Sequence, residues 1–190
     1  MGSTDWSING KSYPNTGPLN DYSAAAALIH AADARADIVV VAMHAGAEGT
    51  AALHLTGRDE IYGGENRGNP EAFARMAIDA GADLIIGYSP HVLRAMEVYR
   101  GRLIAYSLGN FAGYHNFTIE GTLGVSGILQ VKLAADGRFV SGRLVSTRLA
   151  GAGQPVLDPS GQGAALVEQL SRSDLGTRGA HLAADGRITP

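Results

Sequence analysis

Cysteine is absent from the sequence. Disulfides and thiolate metal sites are thereby excluded, and any metal would have to be held by His, Asp, Glu or Asn. An excess of positive charge is also absent. The 190 residues carry 15 Lys and Arg against 18 Asp and Glu, a net charge of -3. That balance offers no basic field for nucleic acid and no polybasic membrane patch. No apolar run approaches the ~20 residues that span a bilayer. The opening residues, MGSTDWSINGKSYPNTG, lack the charged and apolar regions of a signal peptide. With 45% hydrophobic and 17% charged residues, the chain can bury a core and is not of the disordered class. Its length suits one domain. Glycine is abundant, at 26 residues, and implies many tight turns.

The stretch 36–48, ADIVVVAMHAGAE, organises the rest. It reads as a strand, Ile38 to Met43, running into a polar turn with His44 and Glu48. The continuous apolar run fits a strand buried on both faces. Residues 82–91, ADLIIGYSPH, repeat the pattern and deliver His91. Two strands that each end in a His on a turn imply one crevice, at the carboxyl ends of one sheet, where open α/β sheets place their sites.

In chain order, residues 1–20 read as a tail or loop, rich in Gly, Pro, Ser and Asn. Asp21 or Ser23 caps a helix that runs to about Ala36. A long loop, 45–69, holds His54, Arg58, Glu60, Tyr62, Glu65, Asn66 and Arg67, and loops of that length are commonly functional. Asn69 and Pro70 start a second helix and Gly81 ends it. This helix lies between two apolar strands, so the unit is βαβ and the strands are parallel. Residues 95–99 and 103–107 form a hairpin around Arg100-Gly101, and 128–133 with 139–149 a second around Asp136-Gly137. Residues 150–160 are a Pro/Gly loop and 161–171 a short amphipathic helix. The domain proper spans 21–172, and 173–190 is a polar C-terminal tail.

His44 with Glu48 has the residue types of a metal site or a general acid/base pair. A His capping a strand end by a backbone hydrogen bond is the alternative. His91 gains weight from its equivalence to His44. Ser89 sits in G-Y-S-P-H, which lacks the second glycine of a nucleophile elbow. A metal-free ester or lactone hydrolase is therefore a distant option. His54 either reaches the site or is solvated. Asn110 either bonds a ligand or stabilises a turn. Arg67, Arg94 and Arg102 are candidates to hold an anionic substrate, with simple exposure as the alternative. His30, His115 and His181 read as surface or structural.

HAGAEG, the run from YGGENRGNPEAF through DLIIGYSPHVLRAMEVY to IAYSLGNFAGY, and GRFVSGRLVSTRL resemble the CapA family. These are poly-γ-glutamate capsule biosynthesis proteins of the calcineurin-like metallophosphatase superfamily, and the resemblance covers about residues 24–190. H-x-G-x-E falls on His44, Gly46 and Glu48, and Y-S-L-G-N-F on Tyr106 to Phe111. The family's G-H-x-P-H falls on Gly87 to His91, with Tyr88 where a His is usual. The resemblance implies a partial metallophosphatase-like α/β sandwich, a parallel βαβ unit followed by antiparallel hairpins. It also implies a site for divalent Mn, Zn, Fe or Mg between the sheets. His44 and His91 look like the metal ligands. The G-D, Asn-Leu-Glu and Asn-Asn-His motifs of the family's N-terminal half do not occur. The chain is then a fragment, has its partner half on another chain, or has lost the ancestral chemistry.

Together these readings nominate His44, Glu48 and His91 as the catalytic group. His54, Asn66, Arg67, Tyr88 and Asn110 are the substrate contacts. The function implied is metal-dependent hydrolysis on a small-molecule or polymer substrate, linked to cell-surface polymer synthesis at the cell envelope. The alternative is a non-catalytic binding or assembly module. A homo-oligomer, or a partner chain replacing the missing half, is the expected association.

Overall fold

A computed structural model of the chain describes residues 6–8, 11–13 and 21–189. Most of the expected tail or loop over 1–20 lies outside the described residues. Within it, β1 (Trp6–Ile8) and β2 (Lys11–Tyr13) pair antiparallel.

Helix α1 (Tyr22–Asp33) begins where expected, because the Asp21 carboxylate accepts the Ala24 N–H at 3.0 Å. Its alanines favour the helix, and it buries Ala25 and Ile29. Strand β3 (Val40–His44) follows. The long loop is not featureless. It holds a 3-10 turn (Thr50–Ala52) and a small hairpin of β4 (Ile61–Tyr62) and β5 (Glu65–Asn66). Helix α2 (Pro70–Asp79) is capped by Asn69, whose Oδ1 accepts from Ala72 N–H at 3.0 Å. It buries Phe73, Ala74, Ala77 and Ile78. Strand β6 (Leu84–Tyr88) then runs parallel to β3, with His44 in register with Tyr88. β7 (Met96–Tyr99) and β8 (Arg102–Ala105) form the first hairpin. Its two turn residues, Arg100 and Gly101, both have positive φ, as the tight two-residue turn demands. β8 pairs parallel with β6, so the sheet order is β3-β6-β8-β7. A Cβ at Gly87 would collide with the Tyr106 carbonyl, so that close approach requires glycine.

The second sheet is antiparallel. β9 (Val125–Leu133) and β10 (Phe139–Ala150) form its hairpin, and β11 (Gln154–Leu157) pairs with the far end of β10. Helix α3 (Gln162–Leu175) follows. It sends Ala164 and Val167 into the core between the sheets, and Leu170 and Leu175 into the core beneath α1 and α2. The molecule is thus mixed α/β, with a parallel βαβ unit and then antiparallel hairpins, consistent with a partial metallophosphatase-like sandwich.

Three expectations change. Residues 173–190 are not a loose tail: α3 continues to Leu175, and β12 (His181–Leu182) and β13 (Arg187–Thr189) complete the second sheet by pairing β13 with β10. Ile188, 1% exposed, anchors the segment in the core. The 150–160 loop contains β11. And β3 is not buried on both faces. Among the described residues it is an edge strand, and the second sheet covers the inner strands but stops short of it. Met43 is buried on one face while Val40, Ala42 and His44 are exposed on the other, Val40 at 54%.

Candidate functional site

The exposed face of β3 ends at His44, and its neighbour β6 ends at Tyr88, so the two rings meet edge to face with centroids 4.9 Å apart. Past Tyr88 the chain makes a strained reversal: Ser89 and His91, flanking Pro90, both have positive φ, at 107° and 62°. Such backbone states are uncommon for residues with a Cβ and concentrate at functional positions. Here the reversal is fixed by the Pro90 carbonyl, which accepts the Gly49 N–H at 2.9 Å. It turns His91 back toward the crevice.

His91 Nδ1 lies 2.6 Å from Asn110 Oδ1, and Asn110 in turn donates to the Leu123 carbonyl at 3.3 Å. An imidazole bonded to an amide oxygen through Nδ1 carries a proton there, and the ring's other nitrogen, Nε2, faces the crevice. That Nε2 stands 3.7 Å from Glu48 Oε2. Glu48 Oε1 stands 3.5 Å from an Arg67 Nη, and Arg67 also pairs with Glu65 at 3.1 Å. Phe117 packs on His91 with ring centroids 5.0 Å apart. The crevice therefore assembles His44, Glu48, Arg67, Tyr88, His91 and Asn110. The pKa of His44 is lowered, first by burial and then by the Arg67 guanidinium; Glu48 opposes and His91 adds to the lowering.

Two nominated residues have other recorded partners. His54 Nδ1 is 2.7 Å from Asp174 on α3. Asn66 donates to Asp59 and accepts the Gly68 N–H, both at 2.8 Å, which shapes the β5 turn. Arg94 and Arg102 are not free to hold a substrate. Arg94 is wholly buried on Glu60, and Arg102 pairs with Asp83 at 3.0 Å. The Ser89 hydroxyl is buried with no hydrogen-bond partner, so no imidazole is placed to activate it. Tyr106, first residue of the Y-S-L-G-N-F signature, is structural. Its hydroxyl donates to buried Glu97 at 2.7 Å, and burial followed by the Glu97 charge raises its pKa. Phe117 and Glu60 carry no local sequence signal; only the folded loops bring them to the site.

Among the described residues, no group of three or more His, Cys, Asp or Glu is arranged to hold a metal ion. Catalytic zinc takes three protein ligands. The two imidazoles fall short of that set, and Arg67 places a positive charge beside Glu48, the nearest carboxylate. These residues do not by themselves fit a resident divalent ion.

The family model for the bacterial capsule synthesis protein PGA_cap matches residues 3–115, more than half of the chain. The chain belongs to the PGA_cap family. The match takes in every nominated site residue and stops before β9, whereas the motif resemblance runs on through β10. A PGA biosynthesis protein CapA from Bacillus subtilis (strain 168) is 43% identical over 84 residues, 44% of this chain and 19% of that protein. A capsule biosynthesis protein CapA from Bacillus anthracis is 42% identical over 76 residues, 40% of this chain and 15% of its own length. A probable polyglutamine synthesis accessory protein from Mycobacterium tuberculosis is 35% identical over 74 residues, covering 39% of this chain and 16% of that protein. The chain thus matches less than a fifth of each of these relatives. No described helix is long and apolar enough to cross a membrane.

Proposed function

We propose that this PGA_cap chain carries the histidine-bearing wall of a hydrolytic site of metallophosphatase architecture. It serves the synthesis or trimming of an anionic cell-surface polymer, such as the poly-γ-glutamate of the CapA family that its motifs resemble; the relatives' own names speak of PGA, capsule and polyglutamine synthesis. The observation that supports this is the convergence of His44 and His91, from the ends of adjacent strand β3 and strand β6, on Glu48 and Arg67. Each group has a role. His44, held neutral, accepts a proton from an attacking water. His91, fixed by Asn110, presents Nε2 to the same space. Arg67 attracts a substrate carboxylate or phosphate, in competition with Glu48. Any divalent ion at the two imidazoles would need further donors from outside the described residues, on a longer chain or a partner.

The test is a turnover assay on phosphoester, ester and γ-glutamyl amide substrates, with and without added Mn, Zn or Mg. His44→Ala and His91→Ala should each lower kcat/KM by roughly 10²-fold or more. If the unmodified chain turns over none of these substrates under any metal condition, the hydrolase reading fails. A second reading, a non-catalytic binding or assembly module, is favoured by Tyr88, whose ring lies against His44, and by the incomplete donor set. It expects binding of anionic polymer without turnover.

A further inference from the structure

Glu48 and Arg67 face the histidines from a loop, and neither belongs to a helix or a long strand. What lies beneath them is a buried ion pair. Arg94 is 0% exposed and Glu60 7%. Arg94 Nη1 and Nη2 donate to Glu60 Oε1 and Oε2 at 3.1 and 2.8 Å, and Arg94 Nε donates to the Ala52 carbonyl at 2.6 Å. Glu60 Oε2 also accepts the N–H of Ala47, the residue before Glu48, at 2.7 Å. The backbone of Glu60 grips the other side of the crevice. Its carbonyl accepts the Arg67 N–H at 2.8 Å and its N–H donates to the Gly68 carbonyl at 2.9 Å. Gly46 N–H closes the ring on the Arg67 carbonyl at 3.0 Å. Gly46 has φ of +89°, and a Cβ there would stand 2.8 Å from Glu60 Oε2 and 2.9 Å from Arg94 Nη1. Arg94 itself lies three residues past His91, and its N–H donates to the Ser107 carbonyl at 3.2 Å, on the segment that leads to Asn110.

We propose that Glu60 is a positioning residue, its buried charge balanced by Arg94: a clamp that sets Glu48 and Arg67 against His91. A buried ion pair is seldom more stabilising than apolar side chains of similar volume. What apolar side chains could not reproduce is the directed bond from the Ala47 N–H to Glu60 Oε2. The clamp concerns the crevice of the hydrolase reading but not its activity. Its test needs no substrate, so the two can fail separately.

The experiment compares two double variants by NMR, each free of an unpaired buried charge. Glu60→Gln with Arg94→Met keeps an acceptor for Ala47 N–H; Glu60→Leu with Arg94→Met removes it. The readouts are the Arg67 Nε–H resonance, the Glu48 carboxylate carbon resonance and the exchange rate of the Ala47 amide, with thermal melting as the control. The glutamine variant should retain the unmodified chain's Arg67 and Glu48 resonances, and the leucine variant should lose them while melting cooperatively. A leucine variant with unchanged resonances overturns the proposal. If the leucine variant does not fold, Glu60→Asp decides, since it keeps the charge beside Arg94 but withdraws it from Ala47. Displaced Arg67 and Glu48 resonances support the clamp, and unmoved ones refute it.

Discussion

His44 stands at the end of an exposed strand face, yet its proton affinity is set by its neighbours. Burial of the ring side against Tyr88 and the positive charge of Arg67 both disfavour the imidazolium, and together they outweigh Glu48. The pKa therefore lies below its ordinary 6.5. The linkage to stability has one sign. Well above 6.5 the ring is neutral in both folded and unfolded chains, and the fold keeps its full stability. As pH falls through 6.5 toward the lower folded value, the unfolded chain takes up its proton first, so stability declines. A ring-NMR titration should place the His44 midpoint below 6.5, with Arg67→Ala raising it and Glu48→Gln lowering it further. A midpoint above 6.5 would show that Glu48 dominates and would reverse the argument.

At the level of elements, the parts legible in sequence were those with local grammar. Asp21, Asn69 and Pro70 announce the helix starts, and Asp136-Gly137 and Arg100-Gly101 the hairpins, because caps and turns are decided within a few residues. The paired strand-turn-His units were legible because a βαβ crossover sets two similar strands side by side. The closing strand β13 was not, since only Ile188 of its three residues turns inward and no periodicity can be read from one side chain. The clamp was equally hidden, because Glu60 and Arg94 are 34 positions apart and charged residues usually read as surface. The exposed face of β3 was hidden for another reason: an apolar run looks the same whether or not anything covers it. That β13 belongs to the core can be measured. Ile188→Ala should destabilise the chain by about 2–5 kcal/mol in urea unfolding, and a change within experimental error would return residues 173–190 to the status of a tail.

For the molecule as a whole, the decisive feature is where the two layers stop overlapping. The second sheet and α3 bury one face of β6, β8 and β7, where Leu84, Leu103 and Met96 meet Leu144, Val167 and Ile188. They do not reach β3, so the crevice at its end is walled by the β6 turn, the long loop and the Asn110 segment, and among the described residues it is open on the β3 side. An open crevice with two imidazoles and a carboxylate already engaged by arginine has little means to dehydrate a divalent ion and hold it. The chain by itself should therefore bind zinc substoichiometrically after dialysis, and calorimetric titration should give only weak heats, reduced further by His44→Ala and His91→Ala. One tightly held ion per chain, lost in those same variants, would mean that the two histidines recruit a third donor from these 190 residues, and the argument from incomplete walls would have to be abandoned.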